Sequence, residues 1–541
     1  MHDYVIVGAG SAGCVLAARL SEDPSIRVLL LEAGGEDRKR EIQVPAAFGK
    51  LFQTEVDWNY RTETQPHLAG RSLYWPRGKV LGGSSSINAQ MWGRGNPADY
   101  DEWARLGNPG WSYRDTLPYF RRAEDCQDGA SEHTGVGGPM GVSALRSPNP
   151  LTHAFVEACR QAGIPLNPRT NPSSQEGCYY TQVSQRRGVR CSTAVAYLRP
   201  AMKRPNLEVR TQAHATGIVV KQGRAMGIRY LQGGSEKIAE ARREVILCGG
   251  AVNSPQLLLL SGIGPAEELA ALGIPVVANL PGVGRNLLDH LMVAVIMGVR
   301  RPVTLLAAET PANLLKFLLL RKGMLTSNVA EAHAFLRSAP HLSAPDLELV
   351  WAPYPYINHG LTRPTGHGMT IAPVLLRPRS SGRLTLRSPN PMEPPIIDPR
   401  YLSDPADLEV LVSGVRRAQE VFRAPALARE ETVPIEPEPG TGSDAELTTF
   451  IRQKAETLYH PVGTCRMGVD EGAVVDPELR VRGLKGLRVV DASVMPTLIR
   501  GHTNAPTIMI AERAADLVRG LEVGLSARFH HPDPRSQVQA L

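Results

Sequence analysis

Short apolar runs and glycine-rich turns alternate at the start of this chain. Residues 3–7 and 27–31 are dominated by Val, Ile and Leu, and residues 11–20 between them follow a helical pattern. Continuous apolar runs of this length are typical of strands that are buried on both faces of a parallel sheet. The segment 1–32 therefore predicts a strand, a tight turn, a helix and a second strand.

Two similar apolar runs occur much later in the sequence. Residues 245–248 and residues 487–490 each predict a buried strand that is followed by a turn and a helix. Strands that return to one sheet from such distant positions imply a domain that is assembled from separated segments.

The helices after these two strands have recognisable ends. For the first helix we expect a cap at Asn253 or Ser254, Pro255 at the first helical position and a stop at Gly262. For the second helix we expect Asn504 as the N-cap. Both helix N-termini would then lie close to the carboxyl ends of the sheet.

The middle of the chain has a different pattern. Residues 347–351 and 370–376 alternate in polarity, residues 383–387 and 395–397 are short β-like runs, and residues 405–422 follow a helical pattern. These segments predict a second domain with a mostly antiparallel sheet that is covered by helices.

Residues 305–322 are apolar and helical in pattern. Because the segment has few basic residues, we interpret it as a core or lid helix, with a membrane-surface helix as the alternative.

Together these patterns predict an α/β fold with a Rossmann-like domain and an α+β substrate domain. The Rossmann-like domain is expected to contain residues 1–145, 189–291 and 455–523. The substrate-binding domain is expected to contain residues 146–188 and 292–454. Residues 524–541 are expected to form a C-terminal tail.

The first turn has the spacing of a dinucleotide-binding motif. Gly8 permits the tight turn, Gly10 allows a pyrophosphate to approach the backbone, and Gly13 allows the helix to pack closely on the strand. Glu32 follows Gly13 at close to the distance along the chain at which a carboxylate meets ribose hydroxyls. An acid at this position argues against NADP, while FAD and NAD both remain open.

Composition and charge exclude several other classes. The net charge is +7 over 541 residues, but the basic residues are scattered, so we expect no nucleic-acid partner. Seven cysteines without a CxxC pair predict neither a disulfide framework nor a metal site, and they fit a reducing compartment. Without an export signal or an apolar stretch of membrane-spanning length, we expect a cytoplasmic protein with no transmembrane segment.

A second glycine-rich loop and two histidines are the remaining candidates for chemistry. In residues 77–88, two adjacent glycines and three serines can surround a polar ligand, and we expect a helix to start at Ser86. His460 and His502 lie in loops bordered by Gly or Pro. Each alone could be structural. Beside a redox cofactor, a neutral imidazole can remove a hydroxyl proton as hydride leaves the adjacent carbon.

These motifs, taken in order, resemble those of the glucose-methanol-choline (GMC) family of FAD-dependent oxidoreductases. The resemblance extends from residue 3 to about residue 517 and includes two family signatures, at residues 78–88 and 250–264. It implies FAD rather than NAD, His460 as the principal acid/base and His502 as its partner. The FAD contacts that it implies are Gly8, Gly10, Ser11, Gly13, Glu32, Ala33, Val80, Gly82, Ser84, Asn88, Ala89, Gln90, Met91, Ala215, Asp491, Ala492, Asn504, Ala505, Pro506 and Thr507.

Two departures from the family pattern bear on the chemistry. Ile87 stands where some members carry a histidine that binds the flavin covalently, so we predict a noncovalent FAD. Residues 286–292 resemble a segment in which choline-active members place a glutamate, and Met292 stands at that position here, so we expect a neutral alcohol rather than choline as the substrate.

The main hypothesis is a GMC-type alcohol dehydrogenase or oxidase that converts a small neutral alcohol to an aldehyde or ketone. Hydride would pass to flavin N5, and either O2 or a quinone or cytochrome would reoxidise the flavin. The alternatives are a choline dehydrogenase, a flavin-dependent lyase or light-driven fatty-acid decarboxylase on the same fold, and a non-catalytic flavin-binding protein.

Overall fold

The structure is a computed structural model that describes residues 1–168 and 174–521. The predicted C-terminal tail, with its histidines at positions 530 and 531, lies outside the described residues.

The first sheet has a parallel centre. Its five parallel strands, in spatial order, are Leu207–Arg210, Val28–Leu31, His2–Val7, Ser235–Leu247 and Leu487–Val489. The first part of Ser235–Leu247 also continues an antiparallel layer with Arg224–Gln232 and His214–Lys221. The expected Rossmann-like sheet from separated segments is confirmed.

The order of these strands determines where a ligand can bind. After His2–Val7 the chain builds strands on one side of it and then returns to the other side at Ser235–Leu247. The connections therefore diverge at the carboxyl ends of these two strands. In open α/β sheets the resulting crevice is where nucleotides bind.

The second sheet is antiparallel throughout, as expected. Its main strands in spatial order are Val433–Glu436, Val295–Gly298, Gly368–Leu375, Leu347–Ala352, Ala332–Leu336 and Gly177–Tyr180, and the short strands Leu291–Met292 and Glu456–Thr457 attach to it. The helix Pro405–Arg423 covers one face. A Cβ atom on Gly414 would lie 2.8 Å from side-chain atoms of Leu347 and Pro373, so the absence of a side chain there permits the close packing.

Both sheets receive strands from distant segments of the chain. The boundaries of the two domains remain a prediction.

The longer α-helices are Ser11–Leu20, Pro97–Arg105, Tyr113–Ala123, Pro150–Gln161, Gly250–Leu260, Ala266–Ala271, Pro311–Leu320, Pro405–Arg423, Asp444–Lys454 and Asn504–Arg519. Shorter helical segments are Arg40–Gln43, Pro45–Leu51, Pro66–Leu68, Gly83–Ser86, Ala194–Leu198, Arg199–Ala201, Leu305–Ala308, Met324–Thr326, Asn358–Gly360, Pro425–Ala428 and Ala492–Val494. Two-stranded pairs are Tyr60–Arg61 with Tyr74–Trp75, Glu124–Cys126 with Met140–Val142, Gln185–Arg186 with Val189–Arg190, Ile263–Gly264 with Ala278–Asn279, and Arg383–Thr385 with Ile396–Asp398.

A buried ionic network joins the helices Ser11–Leu20 and Asn504–Arg519. The Glu512 carboxylate accepts hydrogen bonds from Arg19 Nε at 3.0 Å, Arg122 Nε at 2.7 Å and the Tyr197 hydroxyl at 2.7 Å. Burial alone would raise the pKa of Glu512, but the charges of Arg19 and Arg122 lower it to about 2. The carboxylate is therefore ionised and ties the first helix of the chain to the last.

The helix after the strand Ser235–Leu247 begins earlier than predicted. It starts at Gly250, so Pro255 lies inside the helix rather than at its first position. A proline there cannot donate to the carbonyl of Ala251, but the Thr464 hydroxyl donates to that carbonyl at 2.7 Å. Ser254 also does not cap the helix, because its hydroxyl donates to Asp491 at 2.6 Å.

Asn504 is likewise not the N-cap of the last helix. The helix Asn504–Arg519 begins at Asn504, and the capping position is Thr503. The Asn504 side-chain oxygen instead accepts a hydrogen bond from the Ser11 hydroxyl at 2.7 Å. The side chain therefore connects two helix N-termini.

The helix predicted from Ser86 is also absent. The segment Gly83–Ser86 forms a single 3₁₀ turn, and Ser85 and Ser86 close it by donating to the carbonyls of Gly82 at 2.6 Å and Leu81 at 2.7 Å. Hydroxyls that bond to nearby backbone in this way compete with helical hydrogen bonds. The chain then continues without helical structure as far as Gly95.

The segment 305–322 is helical, but it is not a core helix. It forms a 3₁₀ turn at Leu305–Ala308 and an α-helix at Pro311–Leu320, and in that α-helix only Phe317 is buried. The apolar sequence pattern was compatible with burial, but no other described element covers the outer side of this helix. Among the described residues, no helix is both long enough and apolar enough to cross a bilayer.

Candidate active site

One continuous cavity runs from the glycine turn of the first sheet to the two candidate histidines. At one end, the glycine end, it is lined by Gly8, Gly10 and Ser11, and at the other, the histidine end, by His460 and His502. The ring centroids of His460 and His502 lie 5.1 Å apart. Loops from opposite ends of the sequence therefore meet in one site.

Most of the predicted site residues line this cavity. Besides the five just named, those that do so are Glu32, Ala33, Ser84, Asn88, Ala89, Gln90, Met91, Ala215, Asp491, Ala492, Asn504 and Thr507. Gly13, Val80, Gly82, Ala505 and Pro506 are not among the lining residues. A Cβ atom on Gly13 would lie 1.9 Å from the Gly8 carbonyl oxygen, which agrees with the packing role expected for that glycine.

At the glycine end the two predicted loops touch each other. Gly8 has φ +97°, and a Cβ atom on it would lie 2.5 Å from the Cys248 carbonyl oxygen. A Cβ atom on Gly83, which has φ +52°, would lie 2.6 Å from Gly10 Cα. A side chain at either position would force these backbone segments apart, so the two glycines permit the close approach of the loops that line the ligand space. The N-terminus of the helix Ser11–Leu20 faces the same space and favours an anion.

Glu32 is buried at the end of the second strand and lines the cavity. Its carboxylate accepts hydrogen bonds from the backbone N–H groups of Ala9 and Gly34, both at 2.8 Å. Burial raises the pKa of Glu32 to about 7, although these two bonds oppose the shift. The side chain thus holds the glycine turn in place as well as facing the ligand space.

Asn504 fits a ligand with an exposed acceptor. It lines the cavity, and its buried side-chain nitrogen has no hydrogen-bond partner among the described residues. Buried donors are normally satisfied, so an unpaired one at a cavity wall indicates a missing partner. A flavin presents carbonyl oxygens that can accept this hydrogen bond. Together with the open glycine backbone, the donor set fits FAD.

His460 is held in place by a buried aspartate. Its backbone N–H donates to Asp289 Oδ1 at 2.7 Å, and the Thr457 hydroxyl donates to Asp289 Oδ2 at 2.6 Å. The Tyr401 hydroxyl also donates to Asp289. Burial raises the pKa of Asp289 to about 6. These bonds fix the backbone from which the imidazole projects.

A neighbouring histidine determines which ring nitrogen of His460 carries hydrogen. His290 Nε2 lies 3.1 Å from the Leu376 carbonyl oxygen, which can only accept, so Nε2 is the protonated nitrogen of a neutral His290. His290 Nδ1 is then an acceptor, and it lies 2.9 Å from His460 Nδ1. His460 therefore carries its hydrogen on Nδ1 and keeps the Nε2 lone pair available.

Both imidazoles of this pair are neutral near pH 7. Burial, the neighbouring His290 and His502, and Arg77 lower the pKa of His460 well below its usual value of 6.5. Burial also lowers the pKa of His290 to about 3. A neutral His460 with a free Nε2 lone pair can act as a proton acceptor.

His502 belongs to a second buried group. Its Nε2 lies 3.0 Å from Glu348 Oε1, and His333 Nδ1 lies 2.8 Å from the same oxygen. Burial alone would raise the pKa of Glu348, but its contacts with His502 and His333 lower it well below the usual range. An ionised Glu348 orients His502 toward the cavity.

The donor atoms of His333, Glu348 and His502 all lie within 4.8 Å of one another, a spacing that a metal ion could also use. The second Glu348 oxygen and His333 Nε2 have no partner in the part of the chain that the structure describes. That the protein binds no metal therefore remains a prediction.

The wall around the histidine end is mostly apolar and aromatic. Phe52 and Tyr356 line the cavity and contact Tyr459, the neighbour of His460, and Phe48, Met292 and Val350 line the cavity as well. Among the described residues that line the cavity, the carboxylates are Glu32 and Asp491. Both are engaged in hydrogen bonds with the backbone of the first domain.

Several residues of this arrangement could not be identified from the sequence. Asp289 and His290 lie just before Met292, but only Met292 was predicted to bear on the substrate. Glu348 lies in the strand that was predicted from the alternating pattern of residues 347–351. The adjacent pair Asp289–His290 was the available signal in the sequence. The pairing of Glu348 with His502 had no signal, because 154 residues separate them.

Comparison with known proteins identifies the class to which this fold and cavity belong. Models of the GMC oxidoreductase family match residues 2–292 and 378–511. The chain belongs to the GMC oxidoreductase family. It is therefore an FAD-dependent oxidoreductase, as the motifs implied, and the alternative of a non-catalytic flavin-binding protein is wrong.

Individual relatives cover nearly the whole chain. The chain is 45% identical to an alcohol dehydrogenase [acceptor] of Pseudomonas putida, over 96% of both chains. It is also 45% identical to the mitochondrial choline dehydrogenase of Homo sapiens, over 96% of this chain and 90% of the relative. The crystal structure of pyridoxine 4-oxidase from Mesorbium loti matches with a TM-score of 0.88 and 33% identity, over 96% of this chain and all of that chain.

Proposed function

We propose that the protein oxidises a small neutral alcohol to an aldehyde or ketone, with His460 as the base. The observation that carries this proposal is the hydrogen-bond chain from Leu376 through His290 to His460. It leaves a neutral imidazole with its Nε2 lone pair unused, beside the expected flavin position. The similarity to the alcohol dehydrogenase of Pseudomonas putida supports the same reaction.

The residues divide the reaction between them. His460 Nε2 takes the hydroxyl proton of the alcohol, and His290 keeps the opposite nitrogen protonated. A bound FAD would supply the acceptor for the hydride that leaves the carbon bearing this hydroxyl. His502, whose Nε2 hydrogen is held by Glu348, lines the same end of the cavity and helps to align the carbon for transfer.

Gly8, Gly10 and Ser11 would hold the pyrophosphate of FAD, and Glu32 would face its ribose. Asn504 and the N-terminus of its helix would donate to the flavin and favour negative charge on it. With Ile87 lining the cavity at the position of the covalent histidine, the proposed FAD is noncovalent.

The composition of the cavity wall favours a neutral substrate. A buried cation requires a nearby negative charge or several aromatic faces. The two lining carboxylates are committed to backbone groups at the glycine end, so neither is available to a substrate cation.

Choline is the second candidate, because the aromatic residues Phe48, Phe52 and Tyr356 could contact a trimethylammonium group. The similarity to human choline dehydrogenase also supports it.

The test is anaerobic mixing of the purified holoenzyme with primary, benzylic and secondary alcohols and with choline, while the absorbance of the oxidised flavin is followed. Loss of that absorbance with a neutral alcohol, but not with choline, is the expected result. Bleaching by choline alone would favour the second candidate. No bleaching by any alcohol would contradict the proposal and lead next to lyase substrates and to fatty acids under light.

Readmission of air to the bleached enzyme then separates the acceptors. Rapid recovery of the flavin absorbance indicates reaction with O2. Recovery only after addition of a quinone or cytochrome indicates a dehydrogenase.

A further inference from the structure

The outer side of the helix Pro311–Leu320 is almost entirely apolar. The exposed fractions of its leucines are 48% for Leu314, 57% for Leu315, 55% for Leu318 and 71% for Leu319. These residues, at positions i, i+1, i+4 and i+5, share one side of an α-helix. We call this side the leucine face. In a protein surrounded by water such a helix normally directs polar side chains outward, so a contiguous apolar face indicates a binding surface.

The positions of the charges around the leucine face indicate what it binds. Residues 311–325 include Lys316, Arg321 and Lys322 and no acidic residue. Lys316 and Lys322 are exposed, and the Arg321 guanidinium lies over the Phe317 ring at 4.9 Å. An apolar helix face bordered by basic side chains is the pattern of helices that lie on anionic lipid.

The acidic residue that precedes the helix in the sequence is paired with a base. Glu309 lies 2.7 Å from Lys50, so this pair adds no net charge to the region. Arg363 is exposed and lies close enough to Tyr354 to affect its ionisation together with Glu309. Two copies of this positively charged surface would repel each other if they met face to face. An anionic surface complements it.

The length of the helix limits how it can meet a bilayer. Ten residues extend over about 15 Å, roughly half of the hydrocarbon thickness of a bilayer. The helix is therefore long enough to lie in the interfacial plane and too short to cross.

The helix is also connected to the wall of the candidate active site. It packs on the turn Met324–Thr326, which packs on the segment Pro45–Leu51. Phe48 of that segment lines the cavity. The preceding turn is joined to the same wall, because Leu305 N–H donates to the Pro353 carbonyl at 2.9 Å, close in sequence to Tyr356.

We propose that the leucine face rests on the surface of a membrane that contains anionic phospholipid. The leucine side chains would enter the boundary between headgroups and acyl chains, and Lys316, Arg321 and Lys322 would contact the lipid phosphates. Apolar substrates or a lipid-soluble electron acceptor could then reach the cavity from the bilayer. The docking itself does not depend on which alcohol is oxidised, so it can fail while the proposed reaction holds.

The experiment is flotation of the purified holoenzyme with vesicles of phosphatidylcholine alone or of phosphatidylcholine mixed with phosphatidylglycerol. The double variant Leu315→Glu/Leu319→Glu should reduce binding to the mixed vesicles by about tenfold or more, because it removes apolar contact and adds negative charge. A matched control is Ile238→Glu/Met392→Glu, which makes the same change at residues that are 59% and 57% exposed elsewhere.

The expected result is binding of the wild type and the control to mixed vesicles, weaker binding to phosphatidylcholine alone, and a decrease with salt. Bound FAD and alcohol turnover without vesicles should be equal in all three proteins. Absence of wild-type flotation, or equal flotation of the leucine variant, would overturn the proposal. A wild-type dimer that becomes a monomer in the leucine variant, without vesicle binding, would assign the face to a second copy of the chain instead.

Discussion

At the glycine end of the cavity the wall is mostly backbone, whereas at the histidine end it is side chains from distant segments. Gly8 and Gly83 lie where a Cβ atom would collide with the neighbouring backbone of Cys248 and Gly10. His290 and His460, by contrast, are brought together by the pairing of the short strands Leu291–Met292 and Glu456–Thr457, and His502 joins them from a third segment. The first arrangement depends on chain geometry and the second on hydrogen bonds between side chains.

This difference predicts that the two ends fail in different ways. A change in the glycine turn alters the shape of the cavity, so the cofactor should be lost. A change among the histidines leaves the shape intact, so the cofactor should remain while the reaction slows.

Gly8→Ala should abolish FAD binding. The new Cβ atom would lie 2.5 Å from the Cys248 carbonyl oxygen, and φ +97° is itself unfavourable for alanine. The measurement is the ratio of flavin to protein after purification. Gly35→Ala is the matched control, since no atom lies within 4 Å of its new Cβ and its φ is not positive. Full FAD occupancy in Gly8→Ala would disprove the backbone account of this end.

His460→Ala should reduce the rate of flavin reduction by about a thousandfold, the usual contribution of a general base. FAD content should stay at the wild-type level, because no predicted pyrophosphate contact is removed. Stopped-flow mixing with the best alcohol under anaerobic conditions gives the rate. A variant that retains most of the wild-type rate would assign the proton transfer to another group.

His290→Phe should reduce the same rate by about ten- to a hundredfold, because His460 loses the acceptor that fixes its tautomer. His290→Asn should restore much of the rate, since its amide oxygen can accept from His460 Nδ1. A merely structural role for the ring would instead favour the phenylalanine variant. The comparison of the two variants therefore separates positioning from packing.

Glu512→Gln tests how much the buried ionic network stabilises the helix Ser11–Leu20, which begins at the glycine end. It removes the charge that faces Arg19 and Arg122 and should lower the free energy of unfolding by about 3 kcal/mol at pH 7. The folded pKa of about 2 lies below the ordinary value of 4.5, so this stabilisation is present above pH 4.5 and is lost as the pH falls toward 2. The difference in melting temperature between wild type and variant should shrink over that range. A constant difference would contradict the ionic account.

The glycine end could be predicted from the sequence because its motif is local. The strand His2–Val7, the Gly8 to Gly13 turn and the helix Ser11–Leu20 follow one another directly, and their spacing alone determines their contacts. The discontinuous parallel sheet followed from apolar runs at 245–248 and 487–490 for the same reason.

Local patterns failed where a distant side chain replaced an expected partner. Pro255 lies inside a helix because Thr464, from a distant segment of the chain, satisfies the free carbonyl. Asn504 is recruited by Ser11 and so does not cap its own helix. Residues 305–322 were interpreted as a core or lid helix because periodicity reports apolarity and not what covers it. Glu348 and His290 could not be assigned because their partners lie in segments that are distant along the chain.

We propose that a neutral His460 with a free Nε2 lone pair is the base of the alcohol oxidation. The most direct test is the pH dependence of anaerobic flavin reduction by the preferred alcohol. Because the pKa of His460 is lowered below 6.5, the account predicts a rate that stays level as the pH falls to 6.5 and declines only at lower pH. A rate that already falls with a midpoint above pH 6.5 would contradict it.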